Sequence, residues 1–155
     1  MNFRSTVRGL LLPFLTLAMA LLLISCSENE TAQIRVERGM IPELPPVIKV
    51  AAGYMVVHND SPTPVYLVEA SSDAATSVEI HRSIVVDDIA KMEHQHEVEI
   101  PPGGTLDFSN ASGYHLMFYE ISEMRKGDRI PVSLEFKNGT RLATMFDVVD
   151  RSELQ

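Results

Sequence analysis

Short β-rich runs, cut at intervals of roughly 8–12 residues by Pro, Gly, Asn and Asp, set the tightest limit on what this chain can fold into. Residues 34–37 alternate apolar and polar, and residues 53–58 form an apolar run that stops at Asn59-Asp60-Ser61-Pro62. Further runs lie at 65–70 and 78–81, and 84–88 leads into a turn. Residues 97–100 alternate before Pro101-Pro102-Gly103-Gly104, and 106–108 and 114–118 follow. The last two runs, 130–136 and 142–146, flank Lys137-Asn138-Gly139-Thr140, a hairpin signal. No amphipathic helical pattern competes, so the expectation is an all-β single domain, an antiparallel sandwich or barrel.

The N-terminus stands outside that pattern. Arg4 and Arg8 precede an apolar stretch over residues 10–24, interrupted only by Pro13 and Thr16. At about 15 residues it is short for a membrane span, which needs about 20, and it suits the core of a signal peptide. Leu23-Ile24-Ser25-Cys26 then resembles the lipobox of bacterial lipoproteins, in which the Cys is acylated and becomes the new N-terminus. The expected division is a signal peptide over 1–25, lipidated Cys26 with a short polar tether over 26–32, the β-domain over 33–150 and a tail over 151–155. Acyl chains contribute about 0.8 kcal/mol per buried methylene, enough for several of them to hold a protein on a membrane. Ser27 after the Cys weakly favours the outer membrane of a Gram-negative cell.

Charge and cysteine count narrow the function. The chain carries a net charge of −8, and cleavage after residue 25 would remove Arg4 and Arg8 but no acid, leaving about −10. An acidic surface repels phosphate backbones, so nucleic-acid binding through a basic patch is not expected. A single Cys allows no internal disulfide, no CxxC pair and no four-cysteine zinc site. No Gly-rich phosphate loop and no nucleophile motif stand out.

The chemistry-bearing residues are His81, Met92, His115 and Met117. His115 and Met117 are two apart in a run read as a strand, so their side chains leave one face. A hairpin centred on Val86-Asp87 would set Met92 directly opposite His81. Each pair then offers one imidazole and one thioether. Thioether is a soft, neutral donor suited to Cu(I), whereas Zn, Mg and Ca favour imidazole or oxygen. Such a site describes a carrier better than a catalyst. The bland alternative is that the methionines fill core and the histidines are simply exposed.

The segment from His81 to Met117 resembles the signature of the periplasmic PCuAC copper chaperones, a His, then Met, then His-x-Met. Ala51-Ala52-Gly53-Tyr54-Met55, Ile100-Pro101-Pro102-Gly103-Gly104, Gly113-Tyr114-His115-Leu116-Met117 and Gly127-Asp128 match as well, so the likeness covers about residues 33–148. One extra residue before His115, Arg82 where Met is common, no Trp, and no Met/His-rich tail depart from it. The resemblance implies a cupredoxin-like Greek-key β-sandwich with His81, Met92, His115 and Met117 as Cu(I) ligands. It further implies a monomeric, exported carrier delivering copper toward the CuA subunit of cytochrome oxidase, alongside a Sco-type thiol protein. The alternatives are a copper-buffering or resistance lipoprotein without a dedicated client and a metal-free Ig-like interaction module.

His94 and His96 continue Met92 at a period of two. In the same hairpin register His94 would face Glu79, and the three would form an auxiliary site favouring Cu(II). Elsewhere, His58 is expected at the surface, Met55 and Met145 in the core, Met40 and Met124 in loops, and Asp87-Asp88 in a turn.

Overall fold

The computed structural model describes residues 33–154. The proposed signal peptide, Cys26 and the tether fall outside the described residues.

Ten strands build the domain: β1 (Ile34–Pro42), β2 (Val50–Asn59), β3 (Val65–Ser71), β4 (Ser77–Val86), β5 (Ile89–His94), β6 (Val98–Ile100), β7 (Thr105–Phe108), β8 (Tyr114–Tyr119), β9 (Arg129–Phe136) and β10 (Arg141–Val149). A short 3-10 turn, Arg151–Leu154, follows. The hydrogen-bonded order is β5-β4-β8-β2-β1-β10-β9-β3-β6, with β7 on β2 and a further contact between β3 and β4. Consecutive strands often lie apart while β4 meets β8 and β3 meets β9, the exchange of neighbours that marks a Greek key. The domain is the all-β sandwich that the strand pattern called for.

β1 is shared between the two layers. It pairs antiparallel with β2 from Ile34 to Glu37 and again, past a bulge, at Met40, while its last residues from Met40 to Pro42 run parallel to β10. Between Glu37 and Met40, Arg38 adopts φ 52°, and a Cβ on Gly39 would lie 2.8 Å from the Met145 carbonyl. A bulge that turns a strand from one sheet to the other is how sandwiches make such corners.

The core is the inward half of each alternation. Phe108, Phe118, Phe136 and Phe146 are fully buried with Met55, Leu67, Ile100, Leu116 and Leu134. At roughly 25 cal/mol per Å² of apolar surface removed from water, these side chains supply most of the drive to fold. Met55 is core as expected, but Met145 is 39% exposed because it alternates with inward Phe146. Met40 lies in β1, not in a loop, whereas Met124 lies in a loop as expected and is buried there.

The β4–β5 hairpin corrects the expected register. Val86 pairs with Ile89, so the two-residue turn is Asp87-Asp88, with φ 51° and 62°. Positive φ at both central residues is the type I′ geometry whose twist suits a hairpin. β-branched Val86 resists that conformation, whereas Asp tolerates it. The turn therefore sits one residue later than Val86-Asp87. Met92 faces Ser83, not His81, and His94 faces His81, not Glu79.

Candidate metal centre

Three strands carry the candidate residues on the outer face of one layer. On β4, Val78 and Ile80 point into the core, which turns Glu79 and His81 outward; on β8, Leu116 and Phe118 do the same for His115 and Met117. His81 pairs directly with His115 across β4–β8 and with His94 across β4–β5. The result is a row of three imidazoles, with ring centroids 5.8 Å apart for His94–His81 and 5.9 Å for His81–His115. Glu79 and Met117 form the neighbouring row.

The row is unevenly covered. His81 and His115 are 9% and 6% exposed, unusual for polar side chains on the outside of a sheet. His94 and His96 are exposed, and Met92 is 59% exposed on the edge strand.

Hydrogen bonds fix which ring nitrogens are free. Nε2 of His81 lies 2.8 Å from the Glu79 carboxylate, which can only accept, so Nε2–H donates. Nδ1 of His81 then carries the lone pair in the neutral ring, and it is buried with no partner among the described residues. Nδ1–H of His115 donates to the Gly113 carbonyl at 3.1 Å, leaving Nε2 as its lone-pair nitrogen. A carboxylate or carbonyl behind an imidazole is the arrangement that orients a metal-binding histidine. Burial pushes the His115 imidazole below its ordinary pKa; the Gly113 carbonyl opposes the shift and His81 adds to it. The shift favours the neutral, ligating form of His115.

Gly113 sets this geometry. Its carbonyl also accepts the Ser83 N–H at 2.9 Å, locking β8 against β4. With φ +81° and a would-be Cβ 2.6 Å from the Ser83 carbonyl, the position admits only glycine without a shift of backbone.

The donor chemistry fits a soft ion better than a hard one. Among the described residues no three His, Cys, Asp or Glu side chains converge as a metal cluster, and the neutral donor in the row beside this histidine pair is a thioether. Metal–nitrogen bonds of 2.0–2.1 Å put the centroids of two imidazoles sharing one ion at most roughly 6.4 Å apart, and 5.9 Å lies within that reach. Met117 is the near thioether, diagonal to His81. Met92 is farther away. Strand spacing and rise put its Cβ roughly 12 Å from that of His115 and roughly 16 Å from that of Met117. The structure therefore gathers His81, His115 and Met117, and leaves Met92 on the rim.

This is a PCuAC-type β-sandwich, the fold of several solved copper-protein domains. The copper-bound PCuAC domain of PmoF2 is 19% identical, with a TM-score of 0.62 over 76% of this chain and 93% of that one. The solution structure of apo-DR1885 from Deinococcus radiodurans is 26% identical, with a TM-score of 0.60 over 79% and 83% of the two chains. The CuI form of DR1885 is 25% identical, with a TM-score of 0.57 over 74% and 76%. No curated protein sequence matches the chain. The profile of the LpqE-like lipoprotein family matches residues 34–148, and the chain belongs to that family.

Proposed function

We propose that the chain binds Cu(I) on this outer face and passes it on, as a carrier and not an enzyme. The observation that carries the reading is the pair of oriented imidazoles: each N–H is committed to an acceptor, and the buried Nδ1 of His81 has no partner among the described residues. Met117 adds a neutral thioether beside them. The CuI form of DR1885, a relative with the same fold, supports the choice of ion.

His81, His115 and Met117 hold the ion, and Met92 completes the shell when the β4–β5 hairpin bends across the face. None of these ligands is anionic, so the charge of Cu(I) is left to a receiver with thiolates, and transfer runs toward it. The receiver we favour is the CuA subunit of a cytochrome oxidase, directly or through a Sco-type thiol protein. The carrier works as an exported lipoprotein held by a lipid on Cys26 and facing the periplasm. The LpqE-like family name fits this, and Ser27 favours the outer membrane. Among the described residues no helix is long and apolar enough to cross a membrane.

Cu(I) titration against a chromophoric competitor tests the site. A single tight equivalent is expected. Met117→Leu should weaken it by roughly tenfold or more and Met92→Leu by less, in keeping with their distances from the histidines. Binding indifferent to both methionines would overturn the reading.

A further inference from the structure

His94 and His96 have no part in that assignment, yet the structure puts them together. His94 ends β5 and His96 lies two residues on, with ring centroids 4.7 Å apart at 79°. That is well inside the roughly 6.4 Å within which two imidazoles can share an ion. Both rings are exposed, and β5 is the edge of the sheet, so an ion reaches them from solvent with no backbone in the way. Asp87, Asp88, Glu93 and Glu97 surround the pair in sequence, against Lys91 alone on the same stretch. Glu97 is engaged with Lys137 and Glu79 with His81, so neither carboxylate is a ready ligand.

We propose that His94 and His96 form a second metal site, a solvent-facing imidazole chelate for a divalent ion, with Cu(II) the best fitted. Imidazole suits Cu(II), which heads the affinity order of first-row divalent ions at a given nitrogen site. No thioether takes part, so this site and the proposed Cu(I) face stand on different residues and can fail separately. Two ligands already side by side bind as a chelate, because the second bond is intramolecular.

The test is titration of the full chain with Cu(II), followed by electron paramagnetic resonance for nitrogen coupling. The wild type is compared with a His94→Ala, His96→Ala double variant and with a Met92→Leu, Met117→Leu double variant. Cu(II) binding should weaken roughly tenfold or more in the histidine variant and stay within about twofold of wild type in the methionine variant. Both histidines are exposed, so the fold should survive, and circular dichroism checks it; His96→Ala alone gives a second reading. Unchanged Cu(II) affinity in the histidine variants, equal loss in both double variants, or no nitrogen coupling in the wild type would overturn the proposal. Cu(I) binding that ignores the methionines would sink the carrier reading and leave this site standing.

Discussion

Replacing Gly113 by Ala is the sharpest probe of how the fold builds the site. The left-handed backbone at φ +81° costs a residue with a Cβ about 1–2 kcal/mol. The added Cβ would also lie 2.6 Å from the Ser83 carbonyl, a backbone atom that cannot swing aside. Relieving that contact moves β8 from β4 and weakens the Ser83-to-Gly113 hydrogen bond, for a further loss of about 1–2 kcal/mol. The expected total is about 3 kcal/mol, read by urea or thermal unfolding of the metal-free protein as a fall in Tm of roughly 10 °C. Gly103→Ala is the matched control. Gly103 has φ +61° with nothing within 4 Å of a Cβ, so only the conformational cost of about 1 kcal/mol applies. Because Gly113 also orients His115 through its carbonyl, Gly113→Ala should weaken Cu(I) binding while Gly103→Ala does not. Equal stabilities for the two variants would refute the reasoning.

Asp87→Asn with Asp88→Gly should stabilise the hairpin by about 1 kcal/mol, since Asn-Gly relieves two positive-φ residues in a type I′ turn; a lower urea midpoint would contradict that. Asn59→Ala should cost about 2–4 kcal/mol. The fully buried amide donates to the carbonyls of Thr63, Ile100 and Pro101 and accepts from the Ser61 N–H, and losing it leaves those groups unpaired; a change in unfolding free energy below about 1 kcal/mol would show that water replaces it. Lys126→Ala should leave the thermal midpoint essentially unchanged, because its ion pairs with Asp150 and Glu153 are exposed; a clear drop would mark the C-terminal turn as structural.

The fold was legible because alternation and turn residues agree along the whole domain. Runs of period two ended by Pro, Gly, Asn or Asp correspond to nine of the strands, and β5 entered through the hairpin argument alone. What the pattern could not carry was register. Placing the turn at Val86-Asp87 shifted every partner on β5, and the signal that corrects it is present in the chain: Asp tolerates positive φ where Val does not. The strand switch in β1 was hidden because Arg38-Gly39 reads as part of an ordinary polar stretch. In the sequence Asn59 reads only as a strand terminator, although its amide ties β2 to Ile100 at the end of β6 and to Pro101 just after it.

The site was legible in type more than in arrangement. His81 and His115 do meet, and Met117 stands beside them, as a shared outer face requires. Sequence spacing gave no sign that β4 and β8 would be direct neighbours, since a Greek key decides that through strand order. It therefore could not foresee His94 in the same row or Met92 on the rim. Met145 shows the same limit: period two identifies a strand, and the choice of which face is inward belongs to packing.

The central claim is a Cu(I) ion held by imidazole and thioether together, and X-ray absorption at the copper edge of the Cu(I)-loaded protein tests it most directly. The account predicts a mixed shell of nitrogen at about 2.0 Å and sulfur at about 2.3 Å, with the sulfur contribution reduced in Met117→Leu. A shell of nitrogen and oxygen alone, unchanged by that substitution, would contradict it.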